Sequence, residues 1–212
     1  MKVLVTTSGI GSRLGNLTKF TNKALVKIGD KFVIDYIIDC YKDLKNIEFI
    51  VTLGYKGDLV KQYLNICYPD FKFFFIEIDK YIGEGSSLGY SLLQTIDLLQ
   101  EPFYFHCCDT IIFEKLTGEK ENKVFVYSSN NSSNYSSIKI HNQLVKNFYN
   151  KGELNYDYIY IGLSYIKDFG LFWSNLESIY NQDKNFQSLS DIHIYMEMLK
   201  NSTKIKYQVL EN

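Results

Sequence analysis

Apolar positions in the first half of the chain alternate between two spacings. Short, nearly continuous apolar blocks at Val3–Thr7, Phe49–Leu53, Phe71–Ile78 and Phe103–Cys107 read as buried strands. Between them, apolar residues recur at helical intervals. Ile34, Ile37, Ile38 and Tyr41 mark a helix within 33–44, and further helices are expected over 58–67 and about 88–99. Ala24–Ile28 reads as a short extended segment closed by a Gly29-Asp30 turn. Strand and helix in repeated alternation predict a parallel sheet covered by helices. Right-handed crossovers then place the loops that follow the strands along one edge, where open α/β sheets take their ligands. The loop after the first strand, the glycine loop beginning at Gly83 and the strand-end Asp109 all belong to that edge.

The second half is patterned differently. Residues 124–127, 137–140 and 156–166 read as strands, 169–179 and 191–199 as helices, and 205–209 as a last strand. A Ser/Asn-rich turn at 128–133 and a basic stretch at 146–151 lie between them, the latter read as a solvated edge. The expected fold is therefore an α/β, Rossmann-like open sheet, mostly parallel in the first half and mixed in the second. It is expected as one domain over 1–212, with the change of pattern at about residue 110.

Composition narrows the function classes. The 212 residues carry 23 basic and 24 acidic side chains, and 46% are hydrophobic. This is globular composition, and the balance of charge argues against a protein that lives on nucleic-acid phosphates. No apolar run has the length of a membrane span, and four cysteines without CxxC spacing read as reduced thiols, so a cytoplasmic protein is expected. The 18 Tyr and 15 Phe are ascribed to packing. Tyr156, Tyr158 and Tyr160 are read as alternating along one strand face, and 71–75 as a buried strand. His106-Cys107-Cys108-Asp109 resembles a set of metal ligands only on paper, since neighbours on a strand face opposite ways. Arg13 is the sole arginine, and its planar fork of donors is something lysine cannot supply.

Arg13 stands in Ser8-Gly9-Ile10-Gly11-Ser12-Arg13-Leu14-Gly15, directly after the first strand. Glycines there let backbone amides close on an anion. The loop matches neither the GxxxxGK[ST] nor the GxGxxG phosphate motif, since its glycines are spaced GxGxxxG. A fork-shaped cation at Arg13 and a point charge at Lys23 beside amide donors suit a triphosphate. A plain surface loop with a stray Arg and Lys is the competing reading.

The run from Gly9 through Arg13, Leu14, Leu17 and Thr18 to Lys23 resembles the signature loop GxGTRLxPLTxxxPK of the sugar-phosphate nucleotidyltransferases. Further pieces follow in family order. Gly29-Asp30-Lys31 and Ile34-Asp35-Tyr36 match a Gly-Lys turn and an IDY helix start, and Gly83-Glu84-Gly85-Ser86-Ser87-Leu88 resembles the second glycine loop. The strand ending at Asp109 and the strand Tyr160-Ile161-Gly162-Leu163-Ser164-Tyr165 complete the likeness, with Lys151 at the family's EKP lysine. The resemblance implies the family's GT-A-like architecture, with a nucleotide-binding half at 1–110 and an acceptor-binding half at 111–212, and its reaction. A nucleoside monophosphate passes from an NTP (CTP, UTP or dTTP, with a lean to a pyrimidine) to a small phosphorylated acceptor such as a sugar 1-phosphate, and pyrophosphate leaves. It also implies roles. Thr6, Ser8, Gly9, Gly11, Ser12, Arg13, Gly83, Gly85 and Ser86 would bind the nucleotide, with Arg13 and Lys23 catalytic. Asp109 would hold Mg²⁺, and Lys151 and Gly162 would serve the acceptor. The setting that the resemblance implies is the activation of a building block for a surface polysaccharide or a lipid head group.

Departures are specific. Cys107-Cys108 replaces Asn-Gly before the strand-end Asp, Asn22 replaces the proline before Lys23, and Thr7-Ser8 replaces Ala-Ala. The late W-x-D-x-G-like segment that carries a second metal carboxylate in many members has no match before Asn212. A C-terminally shortened chain, an inactive nucleotide-binding relative, or another carboxylate in the role (Asp191 or Glu211) are the readings left open.

Overall fold

The structure, a computed structural model, describes residues 1–211. Nine strands form one sheet in the order β11-β7-β10-β6-β1-β4-β5, with β8 beside β10 and β9 beside β8. The parallel part consists of β1 (Lys2–Thr6), β4 (Glu48–Leu53), β5 (Lys72–Glu77) and β6 (Phe103–Cys107). β2 (Lys27–Ile28) and β3 (Lys31–Phe32) make a separate small hairpin. In the second half β10 (Tyr158–Ile166) runs antiparallel to β6 and to β7 (Lys123–Tyr127), and β11 (Lys206–Leu210) pairs parallel with β7. The mostly parallel first half and mixed second half expected from the apolar spacing are thus both present.

Strand alternation buries both faces. Val3, Val5 and Tyr104 join α1 (Val33–Tyr41) and α2 (Gly57–Cys67) in one core. Leu4, Phe103 and Phe105 join α3 (Leu88–Leu93), α4 (Phe169–Gln182) and α5 (Asp191–Lys200) in the other. The IDY element has a clear local role. The Asp35 carboxylate accepts from the Phe32 N–H at the start of α1 and from the Tyr63 and Tyr68 hydroxyls, each at 2.8 Å. One side chain therefore caps α1 and ties α2 to it.

Five expectations change. Ala24–Ile28, read as extended, begins inside a 3-10 turn over Lys23–Leu25 and is a strand only at Lys27–Ile28. The stretch 146–151, read as a solvated edge, overlaps β9 (Leu144–Tyr149), which is hairpinned to β8 (Ser137–His141) through Asn142 and Gln143, both at positive φ. A register shift at Lys139/Ile140 and the adjacent exposed Lys146 and Asn147 hide its period of two. The helix expected to reach 99 stops at Leu93 and resumes as a 3-10 turn over Ile96–Leu98, because the Thr95 hydroxyl bonds back to the Leu92 carbonyl at 2.7 Å. The aromatic run at 71–75 lies on the edge strand β5 and is half-buried, with Phe73 stacked on Phe49. Tyr156 precedes β10 and donates to the Ser129 carbonyl, so only Tyr158 and Tyr160 of that trio are strand residues.

Among the described residues, no helix is long and apolar enough to cross a membrane.

Candidate active site

Chain order and spatial order diverge between β1 and β6. From β1 the chain continues to β4 and β5 on one side, and β6 then returns to the other. This is the switch point of an open α/β sheet, where a crevice forms beyond the strand ends. The loop after β1 and the turn after β6 flank it.

The β1 loop is more ordered than a polar glycine loop suggests. Gly11, at φ 67°, opens a set of 3-10 turns over Ser12–Thr18, kinked at Gly15. A Cβ on Gly11 would lie 3.1 Å from Thr18 and 3.2 Å from Lys23, so the loop wraps closely around the lysine stem. Gly9 is different: its φ is not left-handed, and a Cβ there would meet nothing within 4 Å. The fold has no need of a glycine at that position. Buried Asn22 braces the loop, its amide donating to the carbonyls of Thr7 at 3.0 Å and Tyr55 at 2.6 Å. Gly54 admits Ser8, whose carbonyl would sit 2.5 Å from a Cβ at that position.

Arg13 Nη2 stands 3.7 Å from Asp109 Oδ2, both side chains exposed at 71% and 52%. Lys23 is half-buried beside them and has no ion pair among the described residues. Burial works to lower its pKa, but Cys108, Asp109 and Cys107 outweigh burial and the net shift is upward. Burial also pushes both thiols up, Cys108 to about 12.

His106 holds the Asp109 turn from beneath. Its Nδ1 accepts from the Tyr41 hydroxyl and its Nε2 donates to the Thr110 carbonyl, each at 3.0 Å. Fully buried, the ring is held neutral, its pKa lowered to about 4 by desolvation. The Thr110 N–H closes the turn on the Cys107 carbonyl at 3.0 Å. On the other side of β6, Gly162 sits at φ 80° in the register shift between Tyr160 and Leu163. A Cβ there would come within 2.9 Å of Cys107 and 3.3 Å of the Thr110 hydroxyl, so this glycine is required by the fold itself.

Of the residues expected at the site, Gly9, Gly11, Ser12, Arg13, Lys23 and Asp109 converge on the switch point. Thr6 and Ser8 are buried below it. Thr6 pairs with Cys107 across the β1–β6 register, and the Ser8 hydroxyl faces that of Ser91 at 3.2 Å. The second glycine loop follows β5. Its Gly83 carbonyl accepts from the Ser86 hydroxyl at 2.6 Å, and Gly83 and Gly85 both take positive φ. Lys151 lies exposed on the turn after β9 and lines neither cleft described below. Asp191 is buried at the start of α5, accepting from the Tyr160 hydroxyl at 2.5 Å, and desolvation raises its pKa to about 6. Glu211 follows Leu210, which lines the same cleft as Asp109. Sequence reasoning missed His106, Asn22, Tyr55 and Tyr81 as site-builders; only the odd Asn22 before Lys23 gave any signal.

Two clefts open from this centre. One of about 500 Å³ runs between the β1 loop (Ile10, Ser12), Tyr55, and Tyr81-Ile82 ahead of the second glycine loop. The other, about 260 Å³, lies beyond Asp109 and is walled by Ile111, Tyr127, Tyr135, Ile161 and Leu210.

No protein-family model matches the chain. It is 40% identical over 65 residues to CTP:phosphoglutamine cytidylyltransferase of Campylobacter jejuni, 31% of this chain and 26% of that protein. It is 35% identical over 63 residues to glucose-1-phosphate cytidylyltransferase of Salmonella typhimurium, 30% of this chain and 24% of that one. The matched stretches thus span about a quarter of these curated relatives' length. Among solved structures, the CTP:phosphocholine cytidylyltransferase of Streptococcus pneumoniae superposes with a TM-score of 0.82 at 22% identity, over 100% of this chain and 90% of that one. The inositol-1-phosphate CTP transferase of T. maritima does so at 0.75 and 17%, over 98% and 84%. The resemblance seen in the signature loop is borne out by these matches, and the chain has the fold of the nucleotidyltransferases.

Proposed function

We propose that this chain, as a single domain, transfers a nucleoside monophosphate from an NTP to a small phosphorylated acceptor and releases pyrophosphate. One observation carries the reading. Arg13, Lys23 and Asp109 meet at the switch point, with a cleft on either side of them. A half-buried ammonium kept cationic by its surroundings and engaged in no ion pair among the described residues is available to an anionic ligand.

The larger cleft receives the nucleotide, with Tyr55 and Tyr81 as faces for the base and the Gly9–Arg13 amides and guanidinium on the phosphates. The smaller cleft receives the body of the acceptor, its phosphate turned toward Arg13 and Lys23. An oxygen of that phosphate forms the new bond to the α-phosphorus as the bond to pyrophosphate breaks. The nucleophile is already anionic, so alignment and charge stabilisation suffice, and no acid–base residue is required. Lys23 balances charge that develops at the α-phosphate, and Arg13 grips the departing phosphates. Asp109 fits a Mg²⁺ ion, since it is an exposed, hard, strand-end carboxylate, and Mg²⁺ takes one or two carboxylates with phosphates and water. Such an ion would screen the phosphate charges and template their alignment. Glu211, leaving β11 at the cleft that Asp109 lines, suits a second carboxylate better than Asp191, whose oxygen is engaged by Tyr160. The curated relatives that are named cytidylyltransferases support CTP as the donor to try first.

The test begins with thermal shift against ATP, GTP, CTP, UTP and dTTP, with and without Mg²⁺. A ligand at about 100 times its Kd adds about 2.7 kcal/mol, a rise of several degrees at this size. Pyrophosphate release with an acceptor panel follows. A Mg²⁺-dependent rise with one pyrimidine triphosphate, followed by pyrophosphate release, is expected. Binding without pyrophosphate from any acceptor would mark a catalytically inactive nucleotide-binding regulator. No shift with any triphosphate would refute the site.

A further inference from the structure

The smaller cleft is chemically lopsided. Its walls are aliphatic and aromatic, and two of the chain's exposed large side chains, Tyr127 at 43% and Tyr135 at 49%, line it. Their hydroxyls have no protein partner among the described residues. Tyr127 ends β7 opposite Leu210, and the Tyr135 backbone is fixed by its N–H to the Ser132 carbonyl at 3.0 Å. The Thr110 hydroxyl, a polar group in the lining, is already donated to the Ile161 carbonyl. No lysine or arginine lines the cleft. The charged group in its lining is Asp109, which pairs with Arg13, and next to the lining residue Leu210 the Glu211 N–H donates to the Glu114 carboxylate at 3.2 Å. Neither glutamate has a cationic partner among the described residues.

A polyhydroxylated acceptor asks for several fixed donors and acceptors, because a polar group buried without a partner costs more than the contact returns. This cleft offers few. Exposed aromatic faces with Glu114, a carboxylate without a cationic partner among the described residues, close by suit a weakly hydrated cation. We infer that the acceptor is a phosphomonoester whose body carries an amine or quaternary ammonium on a short apolar frame, not a sugar 1-phosphate, and that Tyr127 and Tyr135 select it. The inference rests on the transferase reading for the position of the phosphate.

Calorimetric titration of the full chain with phosphocholine, phosphoethanolamine, glucose 1-phosphate and inorganic phosphate tests it. The two amines are expected to bind at least about tenfold more tightly than the other two. Tyr127→Phe and Tyr135→Phe, which keep the aromatic face, should retain that preference, and Tyr127→Leu and Tyr135→Leu should abolish it. Glucose 1-phosphate binding as tightly as the amines, no binding of either amine, or an undiminished preference in the leucine variants would overturn the inference. Pyrophosphate release is read in parallel with each triphosphate. Release with glucose 1-phosphate alone would leave the transferase standing and sink the cationic acceptor. Tyrosine-dependent amine binding without pyrophosphate would do the reverse.

Discussion

Arg13 and Asp109 form an ion pair at 3.7 Å that adds almost nothing to the fold. Both ends are solvated, and exposed pairs of this kind contribute about 0–1 kcal/mol. Its meaning is positional: it brings the loop after β1 and the turn after β6 together across the switch point, and each partner is free to exchange the other for a ligand. Arg13→Lys keeps the charge and removes the fork. Turnover should fall more than about tenfold with an unchanged melting temperature. Turnover within twofold of the parent would show that the fork is not used.

Lys23 divides stability from function. Its ammonium is half-buried without an ion pair, so Lys23→Met removes both the desolvation cost and the attraction of Asp109 while keeping most of the stem volume. The two effects nearly offset, so the variant should melt within a few degrees of the parent and lose about a hundredfold or more in pyrophosphate release. A large drop in melting temperature would instead make Lys23 a structural residue.

The glycines of the site separate by what each must avoid. Gly11→Ala forces a side chain into a left-handed backbone against Thr18 and Lys23, and should cost about 1 kcal/mol or more by urea denaturation. Gly162→Ala meets Cys107 at 2.9 Å and should cost about 1–3 kcal/mol. Gly9→Ala meets nothing in the protein, so it should leave stability within about 0.5 kcal/mol and weaken triphosphate binding. Unimpaired nucleotide binding by Gly9→Ala would remove that amide from the phosphate site.

Two buried groups oppose each other in mild acid. The His106 pKa falls to about 4 in the folded chain, so the unfolded chain binds the extra proton below the ordinary histidine range, and stability drops as pH falls from about 6.5 toward 4. The Asp191 pKa rises to about 6, so the folded chain binds its proton first and gains stability as pH falls from about 6 toward the ordinary carboxylate value. The two trends offset. Asp191→Asn removes one of them, and its stability should fall more steeply than the parent's between pH 6 and 4, by about 1.4 kcal/mol per pH unit at most. Denaturation midpoints across that window decide it; parallel curves for variant and parent would mean that Asp191 is ionised throughout.

Reading along the chain is enough to give the alternating strands and helices of the first half, the sheet edge at which open α/β folds take their ligands, and the signature loop with Arg13 and Lys23. Those features are local: apolar period, glycine spacing and residue type are written along the chain and survive without knowledge of distant partners. Tertiary structure alone decided which strands neighbour β1, and so that Asp109 faces Arg13 while Lys151 stands apart. It turned the basic stretch at 146–151 into strand β9, whose bulged partner blurs the period of two. It placed Gly162 against Cys107 and Asp191 under Tyr160, and set Tyr127, Tyr135 and Leu210 around one cleft. These are relations between residues far apart in the chain. They depend on strand order and on how closely side chains pack, and neither is encoded in any single stretch of the sequence.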